Sequence, residues 1–338
     1  MKVEAGAAMR ICMRCVLPEN FPGVRFNADS VCNHCLEFKG EKDLAEKKLR
    51  FRGKFEALVK ERRGGGGYDA LMSYSGGKDS TFTLALIKED FGLNTLAVTV
   101  DNGFLPEQTI RNIRCVSEKL GVDHILFKPR FDVLSRIFGE CSQRDIYPQQ
   151  TLVRASTICT SCMAIVKSIT LRLALEKDIP FIVFGWSPGQ IPLASSIMKN
   201  NPQMIRATQK AVFDPLLAVA GDGIRPYFLE ERHFAGGFKF PFNISPLAFF
   251  DYDEPKILAK AASLGWSAPQ DVDSNSTNCR LNSLANVVHK RRHGFHPYAF
   301  EMAKLVREGY LSREEALEKL QRPEPAGTVE KVREKLGL

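Results

Sequence analysis

The sequence contains no apolar run approaching the roughly 18 to 20 residues that a bilayer-spanning helix needs, and residues 1–10 lack the apolar segment of a signal peptide. We therefore expect a cytoplasmic protein without membrane contact. Internal repeats and low-complexity segments are absent too, apart from four consecutive glycines at 64–67. With 338 residues, 44% apolar and 25% charged, the chain should form about two globular units, which excludes disordered and fibrous classes.

A strong charge imbalance is also missing, because 47 Lys and Arg against 39 Asp and Glu give a net charge of only +8. Such a surplus suits anionic partners such as nucleotides or RNA without selecting one of them. Cysteine, by contrast, is plentiful. Nine cysteines in a chain without an export signal favour metal binding or thiol chemistry over a disulfide framework, so their spacing is the most informative feature.

Four cysteines near the start form two C-x2-C pairs, Cys12 with Cys15 and Cys32 with Cys35, separated by 16 residues. Four thiolates at this spacing fit a tetrahedral Zn2+ in a closed structural site, which would fold a segment too short to have its own core. We predict a zinc ribbon at residues 1–38, with an iron site or redox pairs as the alternative. A charged helix and the glycine linker would follow at 39–67.

From residue 68, short apolar runs alternate with amphipathic segments, which is typical of βαβ units. We predict an α/β fold with a parallel, doubly wound sheet at 68–297, an irregular insertion or lid at 200–242, and a helical C-terminal extension at 298–338. The predicted strands are 70–74, 95–100, 124–127, 181–184 and 243–247. The predicted helices before the extension are 36–63, 80–89, 106–120, 131–141, 162–177 and 254–264. Asp251 or Asp253 could cap the last of them, and the extension should contain two or three helices.

The first predicted strand runs into Ser75-Gly76-Gly77-Lys78-Asp79-Ser80 and then into a helix. The two glycines let the backbone approach a polyphosphate closely, and the helix N-terminus adds partial positive charge. The lysine could neutralise phosphate. Three hydroxyl groups could donate hydrogen bonds: Ser75, Ser80 and Thr81. The turn differs from the P-loop of NTPases, because Asp79 follows the lysine where that motif has Ser or Thr.

This motif resembles the S-G-G-x-D-S/T pyrophosphate loop of the PP-loop ATP pyrophosphatases, which cleave ATP between its α and β phosphates. The resemblance implies that Asp79 helps to hold Mg2+ and that Asp101, after the second strand, lies beside the adenosine. The turn after the fourth strand begins at Gly185, where many tRNA-modifying relatives carry a T-G-H-N-like sequence, and here the chain departs from that pattern. The predicted ATP-binding residues are Ser75, Gly76, Gly77, Lys78, Asp79, Ser80, Thr81, Asp101 and Gly185.

Three further cysteines indicate which nucleophile would attack a substrate that ATP has activated. Cys159 and Cys162 form a third C-x2-C pair at the start of a predicted helix, and Cys279 follows 116 residues later. Helix N–H groups favour thiolates, and three thiolates can hold a [4Fe-4S] cluster with one iron open to hydrosulfide. The layout resembles the cluster-dependent tRNA thiolases of the PP-loop family. A persulfide relay without a cluster, or buried structural cysteines, are the alternatives.

Both ends of the chain resemble a second group of PP-loop proteins, the N-acetyl sugar amidotransferases, which take ammonia from a glutaminase partner. The resemblance rests on Cys12-Met13-Arg14-Cys15-Val16-Leu17-Pro18, on residues 31–35, and on 307–316. The three further thiols favour sulfur over nitrogen. We therefore expect ATP-dependent thiolation of a tRNA base or a free nucleobase or nucleotide, with amidation of an N-acetyl sugar as the alternative.

The predicted catalytic residues are Asp79, Cys159, Cys162 and Cys279, and the predicted cofactors are ATP, Mg2+, Zn2+ and a [4Fe-4S] cluster. Hydrosulfide or a persulfide carrier is the expected sulfur donor, with tRNA and a second copy of the chain as further candidate partners. The basic run at 289–293 could hold phosphate or could be a solvated helix face. None of the six histidines has a spacing that identifies a general base.

Overall fold

The computed structural model describes residues 9–65, 67–273, 275 and 278–338. Residues 1–8 of the predicted ribbon and Gly66 of the predicted linker lie outside the described residues. The first helices are α1 (Asn33–Leu36) and α2 (Glu41–Arg62). The predicted helix 36–63 therefore starts later than expected, because Gly40 has a φ of 94° and separates the two helices.

Six strands form one sheet, which contains the five predicted strands and one short strand, 197–199, that the sequence did not predict. They are β1 (Ala70–Ser73), β2 (Thr95–Val100), β3 (Asp123–Phe127), β4 (Phe181–Phe184), β5 (Ile197–Lys199) and β6 (Phe242–Ile244). Their order is β3-β2-β1-β4-β6-β5, and every neighbouring pair is parallel except β5 with β6. The strand order reverses direction at β1, so the carboxyl ends of β1 and β4 border the crevice where open α/β sheets bind ligands.

Helices cover both faces of this sheet, which confirms the doubly wound α/β class. They are α3 (Lys78–Ala85), α4 (Glu107–Leu120), α5 (Phe131–Gln143), α6 (Thr157–Glu176), α7 (Pro202–Ala220), α8 (Glu231–Phe234), α9 (Glu254–Ser263) and α10 (Leu281–His293). One apolar core joins the sheet to α2, α3, α4 and α9, and the cores on the other face include residues of α5, α6, α7 and α10. Asp253 caps α9 by accepting from the Lys256 N–H at 3.0 Å, as its position predicted.

Helix α6 contradicts the expectation that no apolar stretch is long enough to cross a bilayer. Its 20 residues pass that test by length and composition, and half of the apolar window is buried inside the protein. The helix contacts β1 and β4 and is flanked by α5, α7 and α10. A core helix packed on several sides is apolar on most of its surface, and this position explains the composition.

The segment 200–242 is another correction, because it is largely helical instead of irregular. Asn201 caps α7 by accepting from the Met204 N–H, and Pro202 occupies the first helical turn, where its missing N–H costs nothing. The helix accommodates Pro215 internally and packs against α5 and α6. The many Pro and Gly residues in this segment concealed that cap.

The tail contains α11 (Ala299–Arg307), α12 (Arg313–Gln321) and α13 (Ala326–Leu336), which matches the two or three helices expected there. The N-terminal cysteine module shares one apolar core with α11 and α12, including Phe21, Met302 and Leu305. Helix α13 instead packs on α10 and α5. The two ends of the chain therefore form a joint unit beside the sheet.

Candidate nucleotide and thiol site

The turn between β1 and α3, residues 75–77, has the geometry expected of a phosphate-binding loop. Gly76 has a φ of 74°, and a Cβ there would lie 2.8 Å from side-chain carbons of both Thr109 and Ile113. Glycine is therefore required for conformation and for space. Trp266 Nε1 donates to the Gly76 carbonyl at 2.9 Å, which fixes the turn at the N-terminus of α3. Backbone N–H groups there can bind an anion.

Lys78 and Asp79, at the start of α3, form a compact charged group. Lys78 Nζ lies 3.0 Å from Asp79 Oδ1 and 3.2 Å from Glu254 Oε1, and the Tyr252 hydroxyl donates to Asp79 at 3.3 Å. Burial disfavours the charge of Lys78, but Asp79, Tyr252 and Glu254 together raise its pKa above the usual value. The pair offers a cation for phosphate and a carboxylate for Mg2+ in adjacent positions.

Gly185, after β4, lies directly against this loop. A Cβ at Gly185 would lie 2.4 Å from Ser80 Cα. The turn that follows β4 and the PP loop, which we define as residues 75–81, are therefore in backbone contact across the crevice. The predicted placement of Gly185 beside the loop agrees with this geometry.

We predict that Gly185→Ala displaces the loop and weakens ATP binding at least about tenfold, because a 2.4 Å contact with backbone cannot be relieved by side-chain rotation. The measurement is calorimetric titration with MgATP, together with a thermal melt. Gly139→Ala is the matched control, since a Cβ in that helical position meets nothing within 4 Å. Equal ATP affinity for Gly185→Ala and wild type would contradict the assignment of this crevice.

The exit of β2 brings the loop region and the distant cysteines together. Asp101 Oδ1 accepts from the Gly103 N–H at 2.8 Å, which fixes the turn after the strand. The next residue, Asn102, directs its Nδ2 to within 3.4 Å of both Cys162 Sγ and Cys279 Sγ. The two sulfurs are therefore no further apart than twice that distance.

The third thiol joins the same group from the first turn of α6. The Ser156 hydroxyl caps α6 by accepting from the Cys159 N–H at 3.1 Å, and the Cys159 Sγ lies 3.4 Å from Asn282 Oδ1. Burial, together with the charge of Cys279, raises the pKa of Cys159 and of Cys162 to about 12. Because burial disfavours the thiolate form of all three cysteines, a bound cationic group would be needed to stabilise them as thiolates.

The N-terminal cysteines form a tighter group, in which all four sulfurs lie within 4.8 Å of one another. Cys12 Sγ is 3.9 Å from Cys35 Sγ, and Cys15 Sγ is 3.7 Å from Cys32 Sγ. A tetrahedral site with Zn–S bonds of about 2.3 Å has S···S edges of about 3.8 Å, so the geometry fits zinc. Hydrogen bonds from its neighbours and burial raise the pKa of Cys35, as expected for thiols crowded without a cation.

Arginines of the C-terminal helices hold this four-cysteine module in place. Arg313 Nε donates to the carbonyls of Cys12 at 3.2 Å and Cys15 at 3.1 Å, and Arg307 lies 3.7 Å from Cys15 Sγ. Phe21 packs on Phe295, with ring centroids 5.0 Å apart. The two cations offset the negative charge that four thiolates would bring, so the module is built to rest on α11 and α12.

Two charged residues near the crevice were missed from the sequence. Lys167 lies two turns along α6 from Cys159, and its ammonium sits 4.5 Å from the Trp186 ring centroid. Desolvation lowers the pKa of Lys167 to about 8 although the side chain reaches solvent, which is expected of a group in a crevice. Lys167 follows Cys159 by eight residues, and this helical spacing could have indicated that Lys167 lies near the thiols. Glu301 on α11, whose pKa burial raises to about 7, had no such signal.

The basic run at 289–293 is largely committed to contacts within the protein. Burial lowers the pKa of His289 to about 3, so this residue is neutral. Arg292 Nη1 lies 2.6 Å from Asp145, and Lys290 Nζ lies 3.7 Å from Glu324. Three of the five side chains are therefore neutral or paired within the protein. This disfavours phosphate binding by the whole run, which is one of the two interpretations that the sequence left open.

Comparison with known proteins finds no matching family model. An uncharacterised protein of Methanocaldococcus jannaschii is 24% identical over 311 residues, which covers 89% of this chain and 88% of that protein. Among solved structures, the U34-tRNA thiolase NcsA of Methanococcus maripaludis with its [4Fe-4S] cluster is 16% identical, with a TM-score of 0.36 and coverage of 90% of this chain and 88% of that one. The NMN synthetase of Francisella tularensis is 13% identical, with a TM-score of 0.38 and coverage of 89% and 98%.

Proposed function

We propose that this protein is an ATP-dependent sulfurtransferase that adenylates a substrate oxygen and replaces it with sulfur. The proposal rests on one observation: Asn102, at the exit of the strand next to β1, touches both Cys162 and Cys279 at 3.4 Å. Two remote thiols therefore meet at the exit of β2, and Cys159 lies one turn before Cys162 on α6. Structural cysteines elsewhere in the chain have no reason to gather there.

The first half of the reaction belongs to the PP loop. The backbone N–H groups of the loop and the Lys78 ammonium bind the β and γ phosphates, and Asp79 binds Mg2+. Asp101 and Gly185 border the remainder of the nucleotide. The substrate oxygen attacks the α phosphate, and pyrophosphate leaves with the electron pair of the broken P–O bond. The fixed cations stabilise the charge that develops on the leaving group.

The second half belongs to the thiols. Cys159, Cys162 and Cys279 would hold a [4Fe-4S] cluster, which would supply a binding site for hydrosulfide as the sulfur nucleophile. Asn102 holds two of these sulfurs by its amide, and Asn282 lies against the third. Hydrosulfide then forms a C–S bond to the activated carbon and loses its proton, and AMP departs with the substrate oxygen and the electron pair of the broken C–O bond. Sulfur from a persulfide carrier would enter only after two-electron reduction of the persulfide to hydrosulfide by an external thiol. The acceptor is a tRNA base or a free nucleobase or nucleotide.

Amidation of an N-acetyl sugar, with ammonia from a glutaminase partner, is the second candidate. The observation that favours it is the docking of the chain's two ends, since the segments that resemble the sugar amidotransferases lie in one core. Arg313, in the closing segment, donates to carbonyls of the opening C-x2-C pair. This unit would be used equally in either reaction, whereas the three converging thiols serve only the first.

The test is anaerobic purification followed by absorption and EPR spectroscopy, with iron and zinc counted on the same sample. We expect about four irons per chain, lost in Cys279→Ala, with the zinc content unchanged. Cys115→Ala is the matched control, because this thiol lies outside both cysteine groups. Zinc without iron, together with ammonia-dependent AMP release in the presence of an N-acetyl sugar, would replace thiolation with amidation.

A further inference from the structure

The turn after β4, residues 185–191, is held by α11 of the C-terminal extension. Ser187 Oγ donates to Glu301 Oε1 at 2.7 Å, and Gln190, whose Oε1 accepts from the Ser187 N–H at 3.0 Å, lies close enough to lower the pKa of the Glu301 carboxyl. One turn further along α11, Lys304 Nζ donates to the Ile191 carbonyl at 2.6 Å. The middle and the C-terminal end of the turn are therefore attached to a single helix.

The contact between the turn and α11 leaves no room for adjustment. A Cβ at Gly189 would lie 2.6 Å from Glu301 Cγ and 3.1 Å from Leu305 Cγ. Gly185, at the other end of the turn, abuts Ser80 of the PP loop. A shift of Glu301 would therefore be transmitted through the turn to the loop.

Burial disfavours the ionised form of Glu301, so the hydrogen bonds to its carboxylate determine how well that form is stabilised. Burial raises the pKa of Glu301 to about 7, the Ser187 and Gln190 hydrogen bonds oppose this, and among the charges of α3 Asp79 raises the pKa while Lys78 lowers it. Arg154 and Tyr298 are the other charged or titratable groups that interact with it. The carboxylate is therefore held mainly by the two side chains of the turn.

We propose that Glu301 is a positioning residue of the nucleotide site, which holds Ser187 and Gln190 and thereby keeps the turn after β4 against the PP loop. This role rests on the ATP-binding part of the proposed function and applies to thiolation and amidation alike. This role explains why the turn can lack a T-G-H-N-like sequence, because contacts from α11 hold the turn in place instead. The C-terminal extension becomes part of the site.

The ionised and protonated forms of Glu301 hold the turn differently. An ionised carboxylate accepts from the Ser187 hydroxyl and attracts the Gln190 side chain, whereas a protonated carboxyl has one donor and loses acceptor capacity. Glu301→Gln imitates the protonated form in shape and charge. Wild type and Glu301→Gln should therefore bind MgATP alike near pH 6, and wild type should bind about tenfold more tightly near pH 8, because hydrogen bonds to charged groups are the strong ones.

Stability should change with pH in the opposite direction, which separates positioning from mere burial. The folded chain binds the Glu301 proton more tightly than the unfolded chain does, so its contribution to stability is greatest below the unfolded pKa and falls as the pH rises towards 7. Relative to Glu301→Gln, wild type should lose stability from about pH 5 to 7 while it gains ATP affinity. If Glu301 had only a structural role, the loss of stability would occur without the gain in ATP affinity.

The experiment measures hydrogen exchange of residues 185–191 without ATP, and MgATP affinity by calorimetry at both pH values. Glu324→Gln is the matched control, since this buried carboxylate accepts from Asn286 Nδ2 at 3.0 Å on α10 and has no contact with the turn. We expect faster exchange of the turn near pH 8 in Glu301→Gln and wild-type exchange in Glu324→Gln. Unchanged exchange and an unchanged pH profile of affinity in Glu301→Gln would overturn the positioning role. A wild-type chain that fails to bind MgATP would instead overturn the proposed function, while the exchange result would still decide whether Glu301 fixes the turn.

Discussion

Replacing Asp79 with alanine is expected to reduce pyrophosphate release about a hundredfold or more while both metal groups remain bound. Asp79 sits in the first turn of α3, two residues after Gly77, so its carboxylate is placed to reach a Mg2+ on phosphates held by the loop. Without it, Lys78 would keep Glu254 as a partner at 3.2 Å and would still attract phosphate. The loss should therefore appear mainly in turnover and less in ATP affinity.

The measurement is pyrophosphate release with a coupled assay, run beside metal analysis and a thermal melt. Asp253→Ala is the matched control, because it also removes a carboxylate from the start of a helix. That side chain caps α9 through the Lys256 N–H, so its loss should lower the thermal stability without changing turnover at saturating ATP. Pyrophosphate release by Asp79→Ala at the wild-type rate would remove the assignment of the loop.

The loop was predictable because the residues that form it are adjacent in the sequence. Two glycines between an apolar strand and a helix permit few other conformations, and the observed φ of 74° at Gly76 follows from that local pattern. The cap of α9 was predictable for the same reason. Each of these features depends on residues within a few positions of one another.

Features that depend on the tertiary fold were not predictable from spacing. Cys279 reaches the α6 thiols because the Arg280 N–H donates to the Phe104 carbonyl at 3.0 Å, which ties the segment before α10 to the exit of β2. The family resemblance grouped these cysteines, but nothing in the intervening 116 residues required them to meet. Glu301 was missed because α11 gains its role only from docking beside β4.

The four-cysteine module supplies the second large effect, because Cys15→Ser should abolish its metal and loosen the C-terminal helices with it. A structural zinc of this type contributes about 10 to 16 kcal/mol to folding in isolated ribbons, which is comparable to the whole stability of a domain. The module has little other support, since its core consists of the four thiols and a few apolar residues that face α11 and α12. Loss of one ligand should therefore unfold it.

The effect should extend to the nucleotide site, because the same helix carries both contacts. Arg307, which faces the Cys15 sulfur, and Glu301, which holds the turn after β4, both belong to α11. We expect Cys15→Ser to lose the metal, to exchange amide hydrogens faster at 9–38 and 299–321, and to bind MgATP more weakly. Cys115→Ser is the matched control and should match wild type in all three measurements, since the Cys115 thiol lies outside both cysteine groups and donates to the Leu264 carbonyl at 3.6 Å. Loss of metal with unchanged exchange in α11 and unchanged ATP affinity would show that the module and the site are independent.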